Sequence, residues 1–562
     1  SLINFTELTM ATSTSATAVL TLASLACAVF GESNDLFVDH QGPKDYHLGA
    51  PPPPPAAFRF ASAQGDDMVL QQAPAQANVW GFCPSGATVS VSFNGKTMDA
   101  TPSTWLDQST WSVKLPATKG GFTAYNITAT SGSATITLAN VVFGDVWVCS
   151  GQSNMQYPIG SPTCWNASNI NCTVKDAQCG YGCSQNAGEE ITAMANFNNM
   201  RLYQNANGGS SVPLAESANT GWKLPSAMGG GFSAMCWYFG RDLYANLAAA
   251  GNARPIGLIE TNVGGTPDQH WSSPDALAKC KNINEPWEWP ANFTDSVLWN
   301  GKVVPLTRST ILGAVWMQGE ANAGVDARQY NCSFQAMIED WRSKWSEGTD
   351  SATDPAFPFG WSQLNSDGGT QNWIEGGKTP LVNTTMGQDP LGVWHVGFPS
   401  IRLAETNTLI LDNTFQAVIL DTPVASGSVH SPFKQPAGDR LLRGALATAY
   451  GQPQPSPTAV SVSVNAGSAV ITLQGLSGGA IDIRSKFGFE ILGGDSMWHT
   501  VPITSSSTNT VTVGSVPQGA KAIRYLFYSA PCTKETYMCA VNIKVASLGA
   551  LSGQYDFLPL GP

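Results

Sequence analysis

The sequence has little positive charge. Its 562 residues include 28 Lys and Arg against 40 Asp and Glu, which gives a formal net charge of −12. Nucleic acids and anionic membranes are bound by clustered Lys and Arg, so this balance argues against either as a partner. Charged residues are only 12% of the chain and hydrophobic residues 43%, which is typical of a globular protein rather than a disordered one. The length indicates two or three domains.

Long apolar runs are also missing beyond the N-terminus, so we expect no membrane span there. The segment 18–28 is largely apolar and ends in Ala-Cys-Ala, a small-x-small pattern typical of a signal-peptide cleavage site. Residues 1–28 are therefore predicted to be upstream residues and a signal peptide, with Met10 as the better start. An N-terminal membrane anchor is the alternative. Export predicts a secreted or lysosomal protein that has no membrane segment after cleavage.

The cysteines and glycosylation sequons indicate the same compartment. Eleven of the twelve cysteines follow Cys27, and several lie in polar loops, as disulfide cysteines do. Because eleven is odd, at least one is free, and we expect it to be Cys149, inside an apolar strand. The cysteine pattern has no accompanying histidine pair, so we predict no metal site. N-glycosylation sequons begin at Asn126, Asn166, Asn171, Asn292, Asn331 and Asn383.

The apolar pattern divides the rest of the chain into four parts. Residues 29–56 are predicted to be a Pro-rich linker, because the run from Pro51 to Pro55 favours a stiff polyproline segment. Short alternating runs in 57–140 predict a β-sandwich-like module. In 141–452, apolar strands alternate with segments of helical spacing, which predicts a parallel sheet with helices on both faces. Alternation returns in 453–562 and predicts a C-terminal β-rich module.

Chemically useful residues follow four of the predicted parallel strands, where functional groups gather in α/β sheets. Ser153 comes directly after the strand DVWVCSG, and Gly151 before it allows a turn that exposes the hydroxyl. This placement allows a nucleophile, although a helix N-cap is the commoner role of such a serine. The G-x-S-x-G elbow of α/β-hydrolases is absent, because Met155 stands where its second glycine belongs.

The other three strand ends carry complementary groups. Gly264 and Gly265 let the backbone approach a substrate and offer an amide to an oxyanion, although a simple tight turn is the alternative. Gln318, in the segment QGEAN, can donate an amide N–H to the same oxyanion. His430 is the one of six histidines placed at such a strand end, as a general base would be. Asp421, which closes the preceding strand, is placed to orient its ring.

Four motifs resemble those of sialate O-acetylesterases and related carbohydrate acetylesterases of the SGNH-hydrolase superfamily. They are VVFGDVWVCSGQSNMQ, PIGLIETNVGGTP, AVWMQGEANA and GSVHSPFKQPAGDRLLRGALATAYG. The likeness also includes the segments FRFASAQGDDMVLQQAPAQANVWGF and IRYLFYSAPCTKETYMCAV, so it extends over nearly all of the mature chain. It implies an α/β fold, with an SGNH-hydrolase-like parallel sheet flanked by helices between the two β-rich modules. It also implies hydrolysis of O-acetyl groups on a sugar or sialoglycan, without a cofactor or metal.

The same resemblance implies a role for each strand-end residue. Ser153 matches the nucleophile and His430 the base, while the oxyanion donors match Ser153, Gly264, Gly265 and Gln318. Asp421 is the least secure member, because Gly427 stands where many of these enzymes carry the acid, and a backbone carbonyl or Glu320 is an alternative. Substrate contacts are expected from Gln152, Asn154, Glu320, Asn322 and Arg402. Cys532 and Cys539 match a cysteine pair of the family and are expected to bond.

Two other functions remain open from the sequence. An acetylesterase of plant or microbial polysaccharides, such as acetyl-xylan, would use the same site. A cation such as Arg402 would favour sialate, which carries a carboxylate, although a surface arginine is the alternative reading of that residue. A non-catalytic glycan-binding protein is the more distant possibility, since the β-rich modules could be lectin-like. The oligomeric state is left open.

Overall fold

The computed structural model describes residues 57–160, 182–206, 208–281, 295–323, 327–366, 397–422, 428–455, 457–465, 467–528, 531–532, 539–544 and 557–559. The predicted signal peptide and linker lie outside these residues. So do four of the predicted glycosylation sites, Asn166, Asn171, Asn292 and Asn383. Among the described residues, no helix has both the length and the apolar character needed to cross a membrane.

The first described elements are nine strands. They are β1 Arg59–Phe60, β2 Val69–Gln71, β3 Asn78–Phe82, β4 Ser90–Phe93, β5 Lys96–Asp99, β6 Thr101–Trp105, β7 Gln108–Lys114, β8 Gly121–Ser131 and β9 Ala134–Gly151. One antiparallel sheet has the order β1-β3-β7-β6, and β5, β4, β8 and β9 pair antiparallel in a second. The predicted domain boundary at 140/141 falls inside β9, so the two parts share a strand. The division into 57–140, 141–452 and 453–562 stays a prediction.

The second half of β9 lies in a parallel sheet. The other strands are β10 Met200–Gln204, β11 Ile256–Asn262, β12 Gly313–Met317, β13 Phe359–Ser362 and β14 Thr414–Ala417. Their order is β10-β11-β9-β12-β13-β14, and each neighbouring pair is parallel. Residues 141–151 of β9 are all buried, as expected for a strand covered on both faces. The predicted parallel α/β sheet is thereby confirmed.

Nine α-helices are described. They are α1 Ser153–Gln156, α2 Ala187–Ala193, α3 Pro225–Met228, α4 Ala234–Ala249, α5 Asp268–Trp271, α6 Pro274–Lys279, α7 Ala327–Gly348, α8 Phe398–Asn407 and α9 Lys434–Ala449. Short 3-10 segments at Met194–Asn196, Gly229–Gly231, Val304–Leu306, Glu320–Asn322 and Thr408–Ile410 and a π-helical turn at Trp299–Val303 complete the helical part.

Side chains alternate across β9 into two separate cores. Val146 and Val148 join one core with α7 and α8, while Trp147 and Cys149 join another with α4 and α9. This alternation follows from the two-residue period of a strand. Helices therefore cover both faces of the sheet. The loops at its carboxyl edge are where functional groups gather in such sheets.

The C-terminal part is made of short antiparallel strands. They are β15 Thr458–Asn465, β16 Ser468–Gln474, β17 Ala480–Ile483, β18 Phe489–Leu492, β19 Trp498–Val501, β20 Ile503–Ser506, β21 Thr510–Val513, β22 Ala522–Tyr525, β23 Val541–Lys544 and β24 Phe557–Pro559. They form sheets of the orders β15-β16-β21-β20, β17-β23-β24 and β19-β18-β22. Apolar side chains of β16, β18, β20, β21 and β23 share a core with Leu420, so this module packs directly on the end of the α/β part.

The cysteines correct one prediction. Cys149 is bonded to Cys236, so its assignment as a free thiol is wrong. The first turn of α4 lies on the face of β9 that presents Cys149, which a strand pattern alone does not reveal. Among the described residues the free cysteine is Cys83, which is buried. Disulfides also join Cys280 to Cys332 and Cys532 to Cys539, the latter being the pair that the resemblance implies.

Candidate active site

Ser153 lies immediately beyond the end of β9. Gly151 ends the strand at a φ of +139°, and a Cβ there would overlap the Met317 carbonyl of the neighbouring strand β12. Gln152 then donates its backbone N–H to that carbonyl at 2.9 Å. The chain leaves the sheet through this glycine, and Ser153 begins the short helix α1 with 8% of its surface exposed.

The glycine pair lies against Ser153. A Cβ on Gly264 would be 3.2 Å from the Cβ of Ser153 and 3.0 Å from Gln156 Oε1. The Gly264 amide donates to that same Gln156 oxygen at 2.7 Å. Gly265 has a φ of +72°, a left-handed conformation that favours glycine. The structure therefore brings the first two strand ends together. It also adds Gln156, three residues beyond Ser153 on α1, which the sequence reasoning missed.

The third strand end holds Gln152 rigidly. Gln152 Oε1 accepts from Gln318 Nε2 at 3.1 Å and from the amides of Gly319 and Ala321 at 3.3 and 3.2 Å. Because Gln152 is itself 2% exposed, these bonds replace water as its partners. The residue before Ser153 is thereby fixed to the loop after β12.

Gln318 and Asn322 belong to a buried hydrogen-bond network. Besides Gln152, Gln318 Nε2 donates to the Thr266 carbonyl at 3.1 Å and to Asn322 Oδ1 at 2.6 Å. Asn322 Nδ2 donates in turn to Asp268 Oδ1 at 2.7 Å. These contacts direct the Gln318 amide hydrogens at protein acceptors and favour a supporting role. Oxyanion donation by Gln318 and substrate contact by Asn322 stay predictions.

Asp268, at the start of α5, is a buried carboxylate that the sequence reasoning missed. Burial raises its pKa to about 7, against hydrogen bonds from Ser333 and Asn322 that lower it. The residue stands only three positions after the glycine pair, in the segment GGTPDQHW. Its place in the sequence beside a predicted oxyanion loop was the signal that could have identified it.

His430 lies in the loop that precedes α9, close to α1. The Val429 carbonyl accepts from Asn154 Nδ2 at 3.0 Å, and the His430 ring centroid is 6.4 Å from that of Tyr157. Burial, with a smaller effect of the nearby Lys434 charge, lowers the pKa of His430 to about 3. The imidazole is therefore neutral over the physiological range, which is the form a general base requires.

Asn154 connects this loop with the segment after β12. Its Oδ1 accepts from Lys434 Nζ at 2.5 Å, and its Nδ2 also donates to Glu320 Oε1. Burial raises the pKa of Glu320. Asn154 and Glu320 are thus near Ser153, but their side chains are hydrogen-bonded to each other. Their predicted substrate contacts stay predictions. Lys434, which the sequence reasoning did not single out, belongs to the same cluster.

Asp421 is placed in an ion pair at the C-terminal module. Arg440 Nη1 and Nη2 donate to its two oxygens at 2.5 and 3.0 Å, and Asn542 Nδ2 donates at 3.4 Å. These contacts favour a structural role, joining α9 to β23. Its predicted role behind His430 stays a prediction, and Gly427, three residues before His430, lies outside the described residues.

Arg402 is buried within the fold. From α8 its guanidinium donates to the carbonyl of Asn365 at 3.1 Å and to that of Tyr528 in the C-terminal module. The alternative of a surface arginine is therefore wrong, because the side chain is only 4% exposed. Its contact with a substrate carboxylate stays a prediction.

Of the two described sequons, Asn126 is exposed on β8 and Asn331 is half-buried on α7.

The chain is similar to several known proteins. Residues 143–350 match the family described as "Carbohydrate esterase, sialic acid-specific acetylesterase". The sialate O-acetylesterase of Homo sapiens is 34% identical over 422 residues, which are 70% of this chain and 72% of the human protein. The chain belongs to the sialate O-acetylesterase family. The Mus musculus member is 30% identical over 552 residues, covering 86% of this chain and 92% of its own.

A solved structure of a carbohydrate acetylesterase from Xanthomonas citri is also similar. It is 26% identical, has a TM-score of 0.67 and covers 90% of this chain and 98% of its own. Membership of the sialate O-acetylesterase family makes the protein a carboxylic ester hydrolase, and the family's serine chemistry is consistent with the position of Ser153. Among the described residues, no group of three or more His, Cys, Asp or Glu side chains is arranged to hold a metal ion.

Proposed function

We propose that this protein is a serine esterase that hydrolyses O-acetyl groups from sialic acids. Membership of the sialate O-acetylesterase family supports the substrate class. The observation that carries the proposal is the close approach of Gly264 to Ser153 beside the loop of His430. A methyl group added at Gly264 would lie 3.2 Å from the serine Cβ. The substrate partner is an O-acetylated sialic acid, free or on a glycan.

In the proposed mechanism, neutral His430 takes the proton of the Ser153 hydroxyl as its oxygen attacks the acetyl carbonyl carbon. The oxyanion accepts from the amides of Ser153 and of Gly264 or Gly265, with Gln318 as a third donor. Collapse of this intermediate breaks the bond to the sugar oxygen, which takes the proton back from His430. Water, deprotonated by His430, then hydrolyses the acetyl-serine and releases acetate.

Two of the proposed donors are occupied by protein groups in the structure. The Gly264 amide donates to Gln156 Oε1, and the Gln318 amide to three acceptors. Substrate oxygen would therefore replace a side-chain acceptor rather than enter an empty position. Gln156 is half-buried at the end of the short helix α1. Its side chain is therefore easier to displace from the Gly264 amide than the buried acceptors are from Gln318.

We also propose that the protein is secreted or lysosomal. The predicted signal peptide and the sequons support this, and so do the buried disulfide Cys149–Cys236 and the disulfide Cys280–Cys332. Disulfides of this kind persist in oxidising compartments and are rare in the cytosol.

The test is acetate release by Ser153→Ala. We expect a loss of at least about a thousandfold in kcat with an unchanged fold, because a methyl group cannot attack the ester. Ser150→Ala is the matched control, three residues upstream on β9, since Ser150 Oγ makes no hydrogen bond to the described residues. Wild-type kcat in Ser153→Ala would overturn the mechanism.

The substrate is decided by comparing O-acetyl sialic acid with acetyl-xylan, using a chromogenic acetyl ester as the reference. We expect a kcat/KM for the sialic acid ester that exceeds the value for acetyl-xylan. The reverse order would contradict the proposed substrate and support a polysaccharide acetylesterase. Glycan binding without turnover of any ester would support a non-catalytic protein.

A further inference from the structure

A buried lysine lies beside the proposed base. Lys434 is the first residue of α9, four positions after His430, and is 2% exposed. Its ammonium group donates to Asn154 Oδ1 at 2.5 Å and lies 4.7 Å from the centroid of the Tyr157 ring. Removing an ammonium group from water is costly unless nearby groups compensate, so a lysine in this position calls for a physical explanation.

Asn154 couples that lysine to the base and to the nucleophile. The same side-chain amide donates to the Val429 carbonyl at 3.0 Å, one residue before His430, and to Glu320 Oε1. Asn154 also follows Ser153 directly in α1. The Lys434 bond therefore fixes the orientation of a side-chain amide that joins the serine turn to the histidine loop.

We propose that Lys434 is a positioning residue for His430. Through Asn154 it holds the histidine loop against the serine turn and places a positive charge beside the base. This inference rests on the proposed function, in which Ser153 and His430 are the reacting pair.

The charged neighbours are consistent with this role. Glu320 faces Lys434 from the segment after β12, and Glu405 of α8 lies behind Glu320. Burial raises the pKa of both carboxyl groups. Tyr157, on the other side, has its pKa raised to about 12 by burial and stays neutral.

The lysine is charged where His430 titrates. Burial lowers the pKa of Lys434 to about 7, against the effect of Glu320, which raises it. Below pH 7 the ammonium form dominates, so its charge acts on the imidazole throughout the acidic range. A positive charge nearby lowers the pKa of a histidine by disfavouring its charged form.

Three substitutions separate the charge from the hydrogen bond. Lys434→Arg keeps both, Lys434→Gln keeps a donor without the charge, and Lys434→Met removes both. His430 is read directly by NMR titration of its ring in a Ser153→Ala background, where its resonance among the six histidines is assigned with His430→Asn. This readout needs no enzymatic activity, and the dispersion of the same spectrum shows whether each variant is folded.

We expect the His430 titration midpoint to rise by about one pH unit in the Gln and Met variants and to stay in place in the Arg variant. In the same variants with Ser153 restored, kcat should fall at least about tenfold in Lys434→Met and less in Lys434→Gln. An unmoved midpoint in folded Lys434→Gln would overturn the inference. Failure of the proposed function would appear separately, as acetyl-ester hydrolysis that survives Ser153→Ala.

Discussion

Substitution of Asp421 by Asn tests whether this carboxylate supports the fold or the base. The Asp421–Arg440 pair is buried, with side-chain exposures of 0% and 4%, and is closed by two hydrogen bonds of 2.5 and 3.0 Å. Removing one partner of such a pair destabilises a protein by about 3–5 kcal/mol, because the remaining charge stays buried without its counter-ion. We expect Asp421→Asn to lose stability in that range.

Activity should be far less affected than stability. The contacts of Asp421 with Arg440 and Asn542 give it a structural role. We therefore expect kcat of the folded Asp421→Asn protein to stay within about tenfold of the wild type. In a serine triad, the corresponding change costs about 10⁴-fold in kcat with an intact fold. Denaturant unfolding followed by tryptophan fluorescence measures the first quantity, and acetate release corrected for the folded fraction measures the second.

Asp439→Asn is the matched control. Asp439 is as buried as Asp421, and it forms an ion pair with Arg443 at 3.1 Å. Both residues of this pair belong to α9. Both variants should lose stability and keep kcat. A thousandfold loss of kcat in Asp421→Asn alone, at wild-type stability, would refute this reasoning and identify Asp421 as the acid that orients His430.

Two further predictions concern the site itself. The pKa of His430 is lowered from 6.5 to about 3, so the base stays neutral and kcat/KM should hold from neutral pH down to about pH 4. Because protons then favour the unfolded chain, stability should fall as pH drops from 6.5 towards 3. Thermal unfolding should show a smaller decrease in His430→Asn than in the wild type, and part of the decrease should remain because burial also lowers the pKa of His270, to about 4. Gly264→Ala should lower kcat/KM by about 10- to 100-fold, since its methyl group would press on Ser153 and Gln156. Gly231→Ala, which meets no neighbouring atom, should leave kcat/KM unchanged; equal rates in the two variants would count against the placement of the glycine pair.

The parallel sheet, and the polar residues at the carboxyl ends of its strands, were predictable from local sequence. A buried apolar strand such as 145–150 is recognisable by its composition, and parallel strands end at a common edge whatever the length of the segments between them. Ser153 and Gly264 are therefore expected at the same edge of the sheet, and the pairing of β11 with β9 makes them neighbours. The glycine at 151 was also predictable as a turn, because the chain must leave the sheet before the serine.

The cysteine pairing was not predictable in the same way. Cys149 reads as a core residue of a strand, and its partner Cys236 stands 87 residues away in a helix. Which face of β9 that helix covers depends on packing, and no local pattern contains that information. The same holds for Arg402, whose carbonyl partner Tyr528 belongs to another module.

The sequence by itself determined which residues stand at the carboxyl ends of the strands, because period and composition define the strands. Only the tertiary structure decided what those residues contact. Gln318 faces three buried acceptors, Asp421 faces Arg440, and Lys434 reaches Asn154 beside the nucleophile. Hydrogen bonds and ion pairs form only when the donor and acceptor atoms are placed to within a few tenths of an ångström. For segments remote in sequence, these positions are fixed only when the cores on both faces of the sheet are packed.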